Sequence, residues 1–575
     1  MSSVAPRHPR RGADVLVEAL IANGVETLFG VPGDTGVVFY DALFHQRERI
    51  EHVLARDERH AAYMADAFAR VTNRVGVVEV SSGGGTTYVV GGLGDAYASG
   101  IPVLLLTSDI HRSSRGTGAL TEIDQVALFS AVTKWQVVVE RAADMPGAVA
   151  QALRTAVSGR PGPVALIVPE DVLEEMTDAP VVTSVATLPA ERVPAPGADV
   201  ARAARLLENA ARPAVVVGGG VHASSGYAEL SQLAAVLGAG VATSIHGQGA
   251  VATTDEWWLG IVGNNGGQPG TNRYLAEADV VLLVGTRGNA TNTNSWTAPA
   301  RTGTTVIQID IEAERAGRNF AGSLGLAGDA KTVLAQLVSE LSVVHKQVLD
   351  ERRAQVAAAR ADATPATAGP EHAPGVIYPR SVVEAVHAAL GDEVTVIGDP
   401  GTPTPNVAVF WPVAEAGRRT VIPRGHGPMG YAIPAAIGVA KALPGRPVVS
   451  VTADGSFAMA CGELETAARF ALPILFVQLT NNSMGWIKML QHLYTGGRYF
   501  GVDPGPVDAV LVAKANGVDG VKVTSAQELE AALASFAADP RPFYIDVDVP
   551  HMIDYAPPVP AWDKGLAGNT ERPVY

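Results

Sequence analysis

A single cysteine, Cys461, stands among 575 residues. It rules out a disulfide within the chain and fits a reducing cytoplasm. No apolar run reaches the ~18–20 residues that a membrane helix needs, so no membrane partner is expected. The opening MSSVAPRHPRRG carries basic residues with no apolar stretch behind them. It reads as a disordered tip and not as a secretory signal. Positive charge is also in short supply. Against 58 Asp and Glu there are 43 Lys and Arg, a net charge of −15, which argues against nucleic acid as a partner. An anionic small molecule remains admissible, because backbone N–H groups and a metal can hold one locally.

What is present is apolar and punctuated. Hydrophobic residues make up 47% of the chain and charged residues 18%, the balance of a globular protein too long for one core. Three blocks alternate strand-like and helix-like runs. The first, 12–175, holds DVLVEALIANG, whose apolar spacing is helical and which ends in Asn23-Gly24, then ETLFGVPGD, VGVVEVSSGGG and IPVLLLTSD. Residues 176–198, rich in Pro, Ala and Thr, read as a linker. The second, 198–345, holds RPAVVVGGGV, ADVVLLVGTR and TTVIQIDI. A second linker covers about 346–377, part of it a charged helical run. The third block runs over 376–550, and 551–575 is a proline-bearing tail without periodicity. Near-continuous Val, Leu and Ile runs mark strands buried on both faces. The expected fold class is α/β, with three doubly wound parallel-sheet domains.

The stretch VVSVTADGSFAMACGELETAARFALPILFVQLTNNSMG, 448–485, carries the most chemistry. VVSVT reads as a strand closed by Asp454-Gly455, and Ser456 as the cap of one helix with Phe457, Ala460, Leu464 and Ala467 on its apolar face. ILFVQL is the next strand, and Asn481 follows it, 27 positions after Asp454. In a βαβ unit both strand ends lie on one sheet edge, so Asp454 and Asn481 are expected to be neighbours. A carboxylate, an amide oxygen and backbone carbonyls form a hard, oxygen-only set suited to Mg²⁺ or Ca²⁺, with phosphate oxygens completing it. The Gly455-Ser456 helix start offers N–H groups to the same anion.

This stretch resembles the thiamine-diphosphate motif, Gly-Asp-Gly followed by an Asn, with Ala453 in place of the first Gly. The chain from about 12 to 560 resembles the acetolactate synthase-like family of thiamine-diphosphate enzymes, whose domains bind the pyrimidine (N-terminal), sit centrally, and bind the diphosphate (C-terminal). The resemblance implies that Asp454, the Asn481 side chain and the Ser483 carbonyl hold Mg²⁺, with Met484 beside them. LARDERHAAYMADAFAR resembles the family's Arg-His-Glu segment and places its glutamate at Glu58. There the glutamate shares a proton with the aminopyrimidine and thereby activates the thiazolium carbon. Burial against a ring would raise the pKa of such a group. Asp57 in place of His and Arg59-His60 in place of Gln-Gly are departures; His60 reads as a packed histidine. SSGGGTT resembles the loop in which Gly84 replaces a Pro. RGHGPMGYAIPAAIG resembles the pyrimidine grip, with the Gly427 carbonyl as acceptor and Met429 under the bent cofactor. GDPGTP offers Gly401 and Thr402 on the diphosphate side.

The resemblance further implies a 2-keto acid donor and a homodimer or homotetramer with sites at the subunit interface. Its acceptor segment falls on GTGALTEIDQ, where Leu120 and Thr121 replace Phe and Gln, and Leu490 stands where a tryptophan is expected. Lys488 is a candidate to steer an anionic substrate group, and Asp34 a candidate proton donor. VGTRGNATNTNSW lacks the family's flavin-binding Arg-Phe-Asp-Asp-Arg segment, so FAD is expected to be absent or its site degenerate. The leading expectation is a carboligase. Simple 2-keto acid decarboxylation or carbon–carbon lyase chemistry is the alternative, and a non-catalytic cofactor-binding protein a third.

Overall fold

The computed structural model describes residues 9–342, 344–362, 375–555 and 557–572. Most of the opening tip, the Pro- and Ala-rich half of the second linker, and the last three residues of the tail lie outside that range. Three six-stranded sheets form the framework, and every ladder within them is parallel. By compactness the chain divides into two units. One is built from the segment up to Ala190 with Gly425–Pro444 and Glu465–Phe470. The other comprises Glu191–Arg424, Gly445–Leu464 and Ala471 onward.

The first unit carries the sheet of strands Glu51–Leu54, Thr27–Val31, Gly76–Val80, Val103–Asp109, Val164–Pro169 and Trp135–Val138, in that spatial order. Its strands alternate with helices because each apolar run is closed by a polar or glycine turn, and helices such as Gly12–Ala22 and Met145–Val157 pack a buried Ala, Val and Leu face on the sheet. The expected helix in DVLVEALIANG ends at Asn23, as the Asn-Gly pair predicts. The tip is not wholly unstructured: Arg10–Arg11 pair antiparallel with Met176–Thr177, at the head of the stretch read as linker. Helix Ala432–Ala442 crosses helix Glu58–Thr72 so closely that a Cβ on Gly438 would meet the Met64 carbonyl oxygen at 2.1 Å. Only glycine allows that approach, and the alanines around it keep both helices thin.

The second unit holds two sheets. One orders Trp258–Ile261, Gly240–Thr243, Pro213–Val217, Val280–Val284, Thr305–Asp310 and Leu324–Ala327 around its own core. The other orders Thr420–Val421, Thr395–Gly398, Val448–Ala453, Ile474–Thr480, Phe543–Asp548 and Asp519–Val523. The charged run of the second linker forms helix Lys346–Ala361. The tail is not a loose end: Trp562 is fully buried, and Met552, Tyr555 and Val559 pack with Met489 and Leu493 of helix Gly485–Tyr494.

The direction of chain winding reverses inside each sheet: between Thr27–Val31 and Gly76–Val80, between Pro213–Val217 and Val280–Val284, and between Thr395–Gly398 and Val448–Ala453. Loops leaving the carboxyl ends of strands diverge at such a point and open a crevice for ligands. In the middle sheet glycine backbones fill that place. A Cβ on Gly220 would lie 2.6 Å from the Gly285 Cα. In the other two sheets the loops carry the chemistry read from the sequence.

Candidate functional site

In the third sheet, strand Val448–Ala453 runs directly into helix Asp454–Ala460. The helix therefore begins at Asp454, with Ala453 in extended backbone before it. Ser456 is not the cap expected from the sequence, since it already lies inside the first turn. The single helix read over this stretch is two, Asp454–Ala460 and Glu463–Arg469, broken at Cys461-Gly462. Its four apolar positions are nonetheless all buried.

The expected neighbourhood of Asp454 and Asn481 is present. The Asn481 N–H donates to Asp454 Oδ2 at 3.2 Å, and the Gly455 N–H donates to Oδ1 at 3.0 Å. Burial raises the pKa of the Asp454 carboxyl, against the backbone N–H groups of Asn481, Gly455, Asn482 and Ser483 that draw it down. Such a carboxylate gains from a cation. Asn481 Oδ1 accepts from the Ser483 N–H at 3.2 Å and from Ser483 Oγ at 3.0 Å, which fixes the amide. Asn482 turns the chain with φ of 53°, and the Ser483 hydroxyl also meets His551 Nδ1 at 3.1 Å. Met484 precedes helix Gly485–Tyr494, its N–H held by the Val502 carbonyl at 2.7 Å.

The loop from the adjoining strand closes the same place. Gly401 has φ of 100°, and buried Thr402 starts helix Pro403–Phe410. A Cβ on Gly485 would sit 3.4 Å from Asn481 Nδ2 and 3.5 Å from Thr402 Oγ1, so Gly401-Thr402 and Asn481–Gly485 converge. Ser456 Oγ is fully buried and has no hydrogen-bond partner among the described residues. An oxygen-rich set of one carboxylate, one amide and a carbonyl, beside an unsatisfied buried hydroxyl and an open helix start, fits a divalent cation with a diphosphate. Among the described residues no group of three or more His, Cys, Asp or Glu is placed to hold a metal, so a cation here would lean on neutral oxygens.

The first unit carries a second group of the residues singled out in the sequence. Asp57 caps helix Glu58–Thr72, accepting from the Arg59 N–H at 2.8 Å, and this places Glu58 in the first turn. Glu58 is half-buried, and burial raises its pKa, with a smaller upward push from Asp57. Its Oε1 lies against the glycine loop: a Cβ on Gly85 would stand 3.2 Å away. Gly83, at φ of 73°, and exposed Gly84 open helix Gly84–Ser99. Thr121 arches over this loop in a left-handed conformation, φ of 66°, and accepts from Ser82 Oγ at 2.8 Å; a Cβ on Gly83 would collide with it at 2.7 Å. Leu120 is 84% exposed. Glu122 ties the loop down by accepting from the N–H groups of Gly118 and Ala119.

Gly427 and half-buried Met429 belong to this unit as well. Their turn is held by a buried network that the sequence did not disclose. Asp95 Oδ1 accepts from the His426 and Gly427 N–H groups at 2.8 and 3.2 Å, Arg70 bridges Asp95 and Asp66, and the Tyr431 hydroxyl donates to Asp66. Asp95 could have been suspected, since it is an acid inside a Gly- and Ala-rich helix. His60 is buried beside Tyr63, a packed histidine as expected. Lys488 Nζ is committed to Asp503 at 2.7 Å.

Known thiamine pyrophosphate enzymes share the order of these three domains. Residues 10–128 match the thiamine pyrophosphate enzyme N-terminal TPP binding domain, 200–337 the central domain, and 399–547 the C-terminal TPP binding domain. The acetolactate synthase isozyme 3 large subunit of Escherichia coli is 34% identical over 94% of both chains. The chain belongs to the acetolactate synthase-like family of thiamine-diphosphate enzymes. The acetolactate synthase large subunit of Haemophilus influenzae is 31% identical over 94% of both chains, and that of Parasynechococcus marenigrum is 33% identical over 96% of this chain and 89% of its own. Membership makes the chain a thiamine-diphosphate-dependent enzyme, and the strand-end loops just described fall in the two matched cofactor-binding domains.

Proposed function

We propose that the protein is a carboligase that decarboxylates a pyruvate-like 2-keto acid and joins the remaining acyl-anion equivalent to a second carbonyl. The observation that carries this is a half-buried Glu58, with raised proton affinity, in the N-terminal cofactor domain of a chain whose full-length relatives are acetolactate synthases. When bound, thiamine diphosphate supplies the electron sink for loss of CO₂ and for capture by the acceptor.

The residues divide the work. Asp454, Asn481 Oδ1 and the Ser483 carbonyl would hold Mg²⁺. Gly455, Ser456, Gly401 and Thr402 would receive the diphosphate, and Met484 would line that end. Glu58 would hold a proton against the aminopyrimidine, with Gly84 and its neighbours leaving room, while Gly427 and Met429 would fix the ring's tilt. Thr121, arched over the glycine loop, would bound the acceptor space; exposed Leu120 would reach it only against a partner subunit. The family pattern supports a homodimer or a larger homo-oligomer in which Glu58 of one protomer faces Asp454 of its partner. Lys488, neutralised by Asp503, would take a substrate anion only by leaving that pair. FAD is not required by this reading, and the visible absorption of the purified protein tests it.

The deciding experiment supplies pyruvate alone and then pyruvate with a second aldehyde or keto acid, in the presence of thiamine diphosphate and Mg²⁺. Coupled hydroxyketone or hydroxyketo acid products are expected. Free aldehyde as the sole product would convert the assignment to a decarboxylase. Glu58→Gln should lose ~10²–10⁴-fold in turnover, the usual weight of a positioned acid–base group; full activity in that variant would remove Glu58 from the mechanism.

A further inference from the structure

Three elements of the first unit carry the groups proposed above to meet the cofactor's aminopyrimidine. They are helix Glu58–Thr72, helix Gly84–Ser99 with Gly84 and Gly85 at its start, and the turn with Gly427 and Met429 that leads into helix Ala432–Ala442. They meet backbone to backbone. A Cβ on Gly92 would lie 2.3 Å from the Ala62 Cβ, one on Gly94 2.8 Å from His426 Nδ1, and one on Gly425 2.7 Å from the Asp95 carbonyl oxygen. With the close approach of Gly438 to Met64, each pair of elements touches through glycine. Such surfaces pack closely, but they offer few knobs to lock one element against the next.

Directional bonds supply the lock. Arg70 donates to Asp66 from Nε at 2.7 Å and from Nη2 at 3.2 Å, within one helix. Its Nη2 also donates to Asp95 Oδ2 at 3.0 Å, which joins the first helix to the second. Asp95 Oδ1 accepts from the His426 and Gly427 N–H groups, which joins the second helix to the turn. The Tyr431 hydroxyl donates to Asp66, which joins the turn back to the first helix. The three links close a ring. All four side chains are buried.

Two carboxylates and one guanidinium are a poor means of stabilising a core. Desolvation consumes most of their attraction, and apolar side chains of similar volume often do as well or better. What such a cluster can supply instead is a fixed register. Register matters here because both helices are rigid rods that end at the site. Asp66 lies about 12 Å along its helix from Glu58, and Asp95 about 15 Å along its own from Gly85. A slide at the ring is therefore a slide at the Glu58 carboxyl.

We propose that Arg70, with Asp66, Asp95 and Tyr431, is a positioning device that holds Glu58, the glycine loop and the Gly427–Met429 turn in the one register that fits the aminopyrimidine, at no gain in stability. The four act through the residues assigned to that ring, and the inference rests on that assignment.

Calorimetric titration with thiamine diphosphate in excess Mg²⁺, beside thermal unfolding of the cofactor-free protein, tests it. Removing Arg70 alone would strand two buried acids, so the ring is replaced as a whole. Asp66→Leu/Arg70→Met/Asp95→Asn/Tyr431→Phe removes every charge and leaves an amide oxygen for the His426 and Gly427 N–H groups. It should melt at or above the wild-type temperature. It should bind thiamine diphosphate about tenfold more weakly, as expected of a site in register a tenth of the time. Tyr431→Phe opens a single link and carries the test should the quadruple variant not fold; its melting should stay close to wild type while its affinity falls. Wild-type affinity in a folded ring variant overturns the proposal, and so does affinity lost only in step with melting temperature. Met429→Ala checks the assignment beneath, since it breaks no link of the ring and should also weaken binding. Wild-type affinity there overturns the assignment and the proposal with it. Weakened binding in Met429→Ala with wild-type affinity in Tyr431→Phe overturns the positioning device alone.

Discussion

Glu58 and Gly85 show how little space is left beside the carboxyl proposed to hold the proton. A Cβ on Gly85 would stand 3.2 Å from Glu58 Oε1 and 3.4 Å from Ser81 Oγ, closer than comfortable contact but short of a collision. Gly85→Ala should therefore fold with a melting temperature near wild type while displacing the carboxylate. Since a misplacement of about 1 Å can cost ~10²-fold in rate, turnover should fall by roughly that factor, with CO₂ release as the assay. Unchanged turnover would mean that the Glu58 carboxyl has latitude the geometry denies. At this scale the sequence was legible where residue type constrains chemistry. An Asp and an Asn past consecutive strands can be read from order alone, whereas Glu58 is singled out only by the family resemblance of its segment. The sequence was illegible where chemistry depends on who lies opposite. Nothing local ties Arg70 to Asp95 or sets Asp503 against Lys488, and the left-handed turn at Thr121 has no glycine to announce it.

Strands and helices fix those positions, and their stability carries a signature in pH. His52, within strand Glu51–Leu54, has a folded pKa of about 4 against an ordinary 6.5, brought down by burial. The unfolded chain thus binds more protons between those values. The stabilisation is complete above pH 6.5 and is lost as pH falls from 6.5 to 4, up to ~3 kcal/mol for a shift of this size. Unfolding free energies of wild type and His52→Gln should converge across that window as pH is lowered; parallel curves would contradict the assignment. The tail offers a second test. Trp562 is fully buried against Trp486, ring centroids 4.4 Å apart, at the helix that follows Asn481. Trp562→Ala should cost ~3–5 kcal/mol locally, seen as faster amide exchange in helix Gly485–Tyr494. Proline content made this segment look like a loose end, because periodicity reports regular elements and says nothing of an irregular segment that packs. For the same reason the break at Cys461-Gly462 was missed: Phe457, Ala460, Leu464 and Ala467 keep helical spacing across it, and spacing alone does not show a turn.

In the whole molecule, three parallel sheets present their winding reversals as crevices, and two of them carry polar loops while the third is filled by glycine backbone. The three-domain α/β architecture was legible because uninterrupted apolar strands separated by Gly, Asp and Ser turns leave few other folds. The assembly is not written in any one chain. The proposed arrangement places Glu58 of one protomer with Asp454 of its partner, which makes each site a product of two chains. The most direct test mixes two inactive variants, Glu58→Gln and Asp454→Ala, by co-expression with separable tags. Each mixed dimer should hold one site with both wild-type groups. An equal mixture should then recover about a quarter of wild-type CO₂ release, one site in half of the dimers. Mixed dimers that are isolated by both tags and remain inactive would contradict the account.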